Sequence, residues 1–207
     1  MRLGQAPTGT LVIYTDGGGG DAHENAGFGV CVTTKQDDWS PTGQPEVMDE
    51  LHGPVCCDPA SAYYAKASVH TNNTAELTGL LQANLWLERD GGTEEAILCT
   101  DSTYAMGCTD GSFNGSDNLE LYLTVRERFE REQDRRGGHL SLLHVKAHSG
   151  DIGNDDADCF AWWGKGDGPH SQLPMTVGED NEENDLAHDR LDAQVQRLRD
   201  ELAMDPS

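Results

Sequence analysis

Hydrophobic residues in the first part of the chain cluster in short runs that predict β-strands. Residues 10–16, TLVIYTD, are β-branched and aromatic and lead into a glycine cluster, which is typical of a strand and a turn. Residues 27–34, GFGVCVTT, predict a second strand that forms a hairpin with the first. Residues 35–60 are acidic and rich in proline, so we expect a loop insertion with one short strand near 51–57. ASAYYAKAS at 60–68 predicts a further strand.

The pattern then changes to helical periodicity. Leucines such as Leu77, Leu81 and Leu85 recur at helical spacing, which predicts a helix over about residues 73–89. The Asp-Gly-Gly sequence at 90–92 ends this helix.

The rest of the predicted domain alternates between strands and helices. Its elements are a strand at 96–101, a short helix from Ser102, a loop at 107–117, an amphipathic helix at 118–136, a strand at 139–148 and a helix at 156–164. This order predicts an α/β protein in which helices pack on a mixed sheet.

The composition changes near residue 167, which divides the chain into a domain and a tail. We expect an N-terminal extension at 1–9, a folded domain at 10–166 with an enlarged region at 35–70, and an acidic tail at 167–207. Hydrophobic residues at 4-3-4 spacing predict an amphipathic helix at 184–203. That helix either packs back on the domain or meets a partner, which includes a second copy of the chain.

Charge changes the expectations for partners. The net charge is −23, with 37 acidic residues against 14 lysines and arginines. Such a surface repels polyanions at low salt and, taken alone, argues against nucleic acid. Two further interpretations are adaptation to high salt, where charges are screened within a few ångströms, and concentration of the acid in the tail.

The chain has no apolar run that predicts a membrane span or an N-terminal signal region. We therefore expect a protein that is not secreted and that works in the cytoplasm or with the nucleoid or nucleus. The six cysteines form no C-x-x-C pair, which predicts reduced thiols rather than a zinc site.

Acidic residues stand at the ends of two predicted strands and at the start of a helix. IYT-Asp16 and LCT-Asp101 both end in Thr-Asp, and TNNTAEL places Glu76 one turn inside its helix. Each acid alone has a simple structural explanation: a turn after a strand, or a capping box between Asn73 and Glu76. Together, carboxylates at the ends of neighbouring strands repel unless a cation lies between them, and hard oxygen ligands favour Mg²⁺ or Mn²⁺.

Four motifs, in order, resemble type 1 ribonuclease H. They are IYTDGG, TNNTAEL, CTDSTYA and HVKAHSGDIGNDDAD, and they lie within roughly residues 10–164. The resemblance implies a ribonuclease H-like mixed five-stranded sheet flanked by helices. It also implies an endonuclease that hydrolyses the RNA strand of RNA–DNA hybrids with two Mg²⁺ ions per site, or Mn²⁺ as a substitute, leaving 3′-hydroxyl and 5′-phosphate ends.

The resemblance implies a quartet of metal-binding carboxylates: Asp16, Glu76, Asp101 and Asp158. Asp16 would bridge both ions, Asp158 would hold the ion on the nucleophile side, and Glu76 with Asp101 the ion on the leaving-group side. His148 matches a loop histidine that assists proton transfer or product release.

The resemblance also implies contacts to the hybrid from six residues: Thr71, Asn72, Asn73, Tyr104, Asn118 and Asn154. Thr71 matches a pocket for a DNA phosphate and Tyr104 a position that touches the DNA strand. For Asn118 a helix cap is the alternative.

The sequence departs from the family pattern in ways that bear on affinity. Thr103 stands where a glutamine is frequent, and residues 107–117 carry no lysine or arginine where many relatives have a basic insertion. We therefore expect modest affinity and low processivity. The alternatives are a non-catalytic hybrid-binding or assembly domain on the same fold, and an acidic protein that binds cations or partners without nuclease activity.

Overall fold

Five strands form one sheet in the computed structural model, which describes residues 3–19, 25–113 and 118–167. The strands are β1 (Leu11–Gly18), β2 (Gly27–Thr34), β3 (Glu46–Pro54), β4 (Ala96–Thr100) and β5 (Leu140–His144). The helices are α1 (Asn72–Arg89), α2 (Thr103–Asp110), α3 (Leu119–Arg135) and α4 (Ile152–Trp162). A short 3-10 turn lies at Leu3–Gln5, and a π-helical turn follows α4 at Trp163–Asp167.

The sheet order is β3-β2-β1-β4-β5, with β1 in the centre. β1, β2 and β3 pair antiparallel, whereas β1 pairs parallel with β4 and β4 with β5. Thr15 of β1 lies opposite Thr100 of β4. Because the two strands are parallel and in this register, the aspartates that follow them emerge at the same edge of the sheet.

β1 is buried on both faces, which explains its nearly continuous hydrophobic sequence. Alternate residues of a strand point to opposite faces. Leu11 and Ile13 join the larger core cluster, which includes α1 and α3, and Val12 and Tyr14 join a second cluster with residues of α4. Helices thus cover both faces of the sheet, as predicted.

The insertion at 35–70 differs from the prediction. The strand expected near 51–57 runs instead over Glu46–Pro54, because its first half is an exposed edge without an alternation of buried and exposed positions. The strand expected at 60–68 is wrong: those residues form turns and bends. Alanines in this segment supply its buried contacts, at Ala65 and Ala67.

Several predicted boundaries are corrected by the structure. α2 continues to Asp110, into the loop expected at 107–117, and β5 ends at His144 rather than at 148. α4 begins at Ile152 rather than at 156, and Gly153 in its first turn packs directly against the ring of Tyr14, a tertiary contact with no local sequence signal.

The alternative of a capping box between Asn73 and Glu76 is also wrong. α1 begins at Asn72, and its cap is Thr71, whose side chain accepts a hydrogen bond from the amide of Thr74. Glu76 is therefore not needed to cap its helix.

The predicted tail helix at 184–203 lies outside the described residues. Within the described part of the chain, no helix is both long and apolar enough to cross a membrane. All six cysteines are free thiols.

Candidate metal centre and active site

Asp16 is held at the end of β1 by the backbone that follows it. The amide of Gly17 donates a 2.7 Å hydrogen bond to Oδ1 of Asp16, whose residue is only 8% exposed. A Cβ on Gly17 would lie 2.2 Å from the backbone nitrogen of Glu76. The missing side chain thus lets the first turn of α1 approach the end of β1.

Glu76 points from α1 into this edge and is 4% exposed. Its Oε1 accepts a hydrogen bond from Nδ2 of Asn72 at 3.3 Å, and Oδ1 of Asn72 accepts one from the amide of Gly19 at 3.0 Å. Asn72 therefore ties the glycine-rich turn after β1 to the glutamate. Oε2 of Glu76 is buried and has no hydrogen-bond partner among the described groups.

Asp101 follows β4 and is half-buried. Its Oδ2 lies 3.4 Å from Nδ2 of Asn154, which comes from the first turn of α4. Its backbone carbonyl lies 3.0 Å from Nε2 of His144, so that nitrogen must carry the proton in this contact. Oδ1 of Asn154 is buried and, within the described residues, unpartnered.

Three carboxylates meet at this edge. Asp16, Glu76 and Asp101 each place an oxygen within 4.8 Å of the others. Burial, then the charges of Asp16 and Asp101, raise the pKa of Glu76 to about 10. Burial, then the charge of Asp101, raise the pKa of Asp16 to about 7. In the absence of a cation the cluster is therefore electrostatically unfavourable when ionised.

The donor set fits a hard divalent cation. All three groups offer oxygen, and the unpartnered Oε2 of Glu76 is a buried acceptor that lacks a donor. Buried polar atoms without partners are rare in folded proteins and require an explanation. A bound divalent ion would satisfy this oxygen and neutralise the repulsion among the three carboxylates.

Asp158 approaches the cluster from α4. Its side chain is exposed, and its charge and a side-chain hydrogen bond both raise the pKa of Asp16. Its neighbour Asp156 instead interacts with Asp155 and Glu50, on the side of β3. Of these three acids, Asp158 is the one whose charge acts on Asp16.

His148 lies in the exposed turn between β5 and α4, with a positive φ of 48°. Within the described residues it makes no hydrogen bond or ion pair with the carboxylates, so the structure does not bring it into the cluster.

The six residues predicted to contact substrate have different surroundings in the structure. Asn72 and Asn154 belong to the carboxylate edge. Thr71 and Asn118 lie beside it: the hydroxyl of Thr71 is 2.8 Å from that of Thr74, which donates to Oδ1 of Asn118 at 3.1 Å.

Asn118 precedes α3 in the left-handed conformation, with φ 55°, and its side chain does not cap that helix. The alternative of a side-chain cap at Asn118 is therefore wrong, because its amide oxygen is used to join α3 to α1. Asn73 is exposed on the first turn of α1, and Tyr104 packs edge-on against Phe113 with ring centroids 6.0 Å apart.

Sequence reasoning missed the residues that support this edge. The contacts of Gly17, Thr74 and His144 depend on elements distant in sequence. For Gly17 a signal existed, since a run of glycines directly after a strand-ending aspartate indicates close backbone approach. No local pattern marked Thr74 or His144.

A mixed five-stranded sheet of this order, with carboxylates at the carboxyl ends of β1 and β4, defines the ribonuclease H-like class of proteins. The RNase H family model matches residues 8–165, so the chain belongs to the RNase H family. The family and fold predicted from the four motifs are confirmed. No curated protein matches the chain.

Solved structures agree with this fold. RNase H1 from the halophilic archaeon Halobacterium salinarum NRC-1 is 20% identical, with a TM-score of 0.52 over 77% of this chain and 100% of that one. The N-terminal RNase H domain of Rv2228c from Mycobacterium tuberculosis, solved as a fusion with maltose-binding protein, is 22% identical, with a TM-score of 0.53 over 77% and 95%. A foamy viral protease–reverse transcriptase in complex with an RNA/DNA hybrid is 14% identical, with a TM-score of 0.52 over 78% and 21%.

Proposed function

We propose that the protein is an endonuclease that hydrolyses the RNA strand of RNA–DNA hybrids, leaving 3′-hydroxyl and 5′-phosphate ends. The observation that carries the proposal is the buried carboxylate cluster of Asp16, Glu76 and Asp101 at the sheet edge, with an unpartnered oxygen on Glu76. Membership of the RNase H family supports the same activity.

Asp16, Glu76, Asp101 and Asp158 would hold two Mg²⁺ ions, or Mn²⁺ in their place. Bound divalent ions supply charge stabilisation at the reacting phosphate and a water acidic enough to attack it at neutral pH. Asp16 would help to hold the ions together with both Asp101 and Asp158, because it interacts with both of these acids.

The chain's own groups position these carboxylates. The amide of Gly17 fixes Asp16, Asn72 fixes Glu76, and Asn154 donates to Asp101. Such prealignment matters because catalytic electrostatics depend on groups that need not reorganise during the reaction. His148, on an exposed turn outside the carboxylate cluster, would assist proton transfer or release of product.

Recognition of the hybrid would use polar side chains that both donate and accept. Asn72 and Asn73 suit the 2′-hydroxyl groups of RNA, which distinguish it from DNA. Thr71 with Asn118 offers a polar pocket for a phosphate of the DNA strand, and the Tyr104 ring a surface for its sugars. The foamy viral protein that shares this fold was solved with an RNA/DNA hybrid, which supports this substrate class.

The test is cleavage of a hybrid labelled on either strand, with single-stranded RNA, duplex RNA and duplex DNA as comparison substrates. We expect Mg²⁺-dependent cutting of the RNA strand of the hybrid only, and loss of activity by at least about 100-fold in Asp16→Asn. Folded protein that binds the hybrid yet never cuts it with Mg²⁺ or Mn²⁺ would instead support a non-catalytic hybrid-binding domain.

α4 supplies a matched pair of variants for the fourth carboxylate. Asp158→Asn should lower kcat strongly, whereas Asp155→Asn removes the same charge from the exposed first turn of the same helix and should leave kcat within about twofold. Equal effects of the two substitutions would contradict the role assigned to Asp158.

A further inference from the structure

All arginines in the described part of the chain form side-chain contacts within the protein. Each forms an ion pair with Glu88, Asp90 or Glu132, or donates to backbone carbonyls. They are Arg89, Arg126, Arg128, Arg131, Arg135 and Arg136. None of these contacts is at the carboxylate edge of the sheet, so the arginines support the fold.

The lysines are used differently. Lys35 is buried at the end of β2, but the side chains of Lys66, Lys146 and Lys165 make no hydrogen bond or ion pair with any described residue. In a protein of net charge −23 with only four lysines, lysine side chains that pair with no described acid are conspicuous.

Lys165 lies next to the edge of the sheet where Asp16, Glu76 and Asp101 meet. It belongs to the π-helical turn after α4, and its Cδ would be 3.2 Å from a Cβ on Gly18. Gly18 is the second residue after Asp16, so the lysine stem crosses the end of β1 where a side chain is missing. The turn itself is fixed there, because its backbone at Gly164 and Lys165 lies directly against Gly27 of β2.

Lys146 stands on the other side of the same edge. The amide of Val145 donates to the carbonyl of Thr100 at 3.0 Å, which holds the start of the Lys146 loop beside the end of β4. Along the sheet order, the two lysines therefore flank the carboxylates, with Lys165 on the β2 side and Lys146 on the β5 side.

We propose that Lys165 binds a backbone phosphate of the RNA–DNA hybrid beside the carboxylate cluster, with Lys146 as the second flanking cation; this rests on the proposed function. The strongly negative protein repels the hybrid at long range, so attraction must come from cations in direct contact with phosphates. Lys165 is a positioning residue: it aligns the strand and does not act on the reacting bond.

The proposal has a quantitative consequence. Each phosphate contact contributes about 0.7 to 0.9 to the slope of log Kd against log salt concentration. Removing one contact should therefore reduce that slope by the same amount and weaken binding about fivefold at roughly 0.15 M salt.

The experiment measures binding of a fluorescent hybrid by anisotropy, using full-length protein that carries Asp16→Asn to prevent cleavage, with Mg²⁺ and increasing KCl. Lys165→Gln is compared with Arg89→Gln, which removes one positive charge from the far end of α1. We expect the slope to fall by about 0.8 in Lys165→Gln only, and to be retained in Lys165→Arg. In the active enzyme, Lys165→Gln should raise KM about fivefold with kcat unchanged.

Equal slopes for Lys165→Gln and Arg89→Gln, in a protein that binds and cuts the hybrid, overturn the role of Lys165 and leave the proposed function intact. A parent protein that neither binds nor cuts the hybrid at any salt concentration overturns both.

Discussion

At the level of single residues, Glu76 is an example of a carboxylate in the candidate site that destabilises the folded protein. The glutamate is almost fully buried, its Oε2 lacks a partner within the described structure, and Asp16 and Asp101 lie beside it. A group in this position is explained by ion binding and not by folding, since an apolar or amide side chain would be tolerated better there.

Glu76→Gln should therefore stabilise the metal-free protein. The folded-state pKa is raised from 4.5 to about 10, so above pH 4.5 the unfolded chain releases a proton that the folded chain retains. Stability is lost as pH rises through this window, and the amide removes that loss. We expect a gain of roughly 1 to 3 kcal/mol at neutral pH, measured by urea unfolding in EDTA from pH 5 to 9.

Two comparisons complete this experiment. Glu130→Gln removes an exposed carboxylate from α3 and should show no such gain. Added Mg²⁺ should stabilise the parent protein but not Glu76→Gln. A variant less stable than the parent at every pH would mean that Glu76 has a structural role.

At the level of elements, α4 comes close to the sheet edge that carries Asp16 because Gly27 and Gly29 of β2 have no side chains beneath the helix. A Cβ on Gly29 would lie 2.1 Å from the carbonyl oxygen of Ala157, one residue before Asp158. The helix axis, and with it the position of the fourth carboxylate, is thus determined by backbone contact between α4 and β2.

Gly29→Ala should displace α4 from the sheet. Since the obstructing atoms are backbone, we expect destabilisation of about 2 to 4 kcal/mol and a fall in kcat as Asp158 moves away from Asp16. Thermal unfolding and hybrid cleavage measure the two effects. Gly4→Ala is the control, because its Cβ would meet only the Trp39 ring at an ordinary 3.8 Å. A wild-type Tm and kcat for Gly29→Ala would contradict the close backbone contact between α4 and β2.

At the level of the whole molecule, the dominant property is the excess of 37 acidic over 14 basic residues. Self-repulsion on this scale destabilises the folded state and is weakened by screening. Salt has little effect on buried ion pairs such as Arg136–Glu132. The change of stability with salt concentration therefore comes from repulsion among the exposed acids.

Stability should therefore rise with salt. Between about 0.05 and 1 M KCl, with EDTA present, we expect the Tm to increase by roughly 5 °C or more, as screening removes a few kcal/mol of repulsion. Sucrose of matched viscosity serves as a comparison without ionic strength. A Tm that is flat or falling in KCl would contradict adaptation to high salt as the reason for the charge.

The elements with strong periodicity were predictable from sequence. β1 is covered by α1 and α4, so its sequence is almost continuously apolar. In α1 and α3 the hydrophobic residues recur at helical spacing. β3 was misplaced because this edge strand, with exposed Val47 and Met48, lacks the alternation of apolar and polar residues that predicts a strand. The four motifs identified the family, since their residue types and order reflect shared chemistry.

By itself, therefore, the sequence determined the family, the fold class and the residue types available for metal binding. Only the tertiary structure decided that Asp16, Glu76 and Asp101 meet within 4.8 Å, because the meeting depends on the parallel register of β1 with β4 and on glycine contacts between elements far apart in the chain. The same holds for Lys165, whose neighbour Gly18 is 147 positions away in sequence. Local patterns report propensity and burial, whereas distances between side chains are determined by how the elements pack.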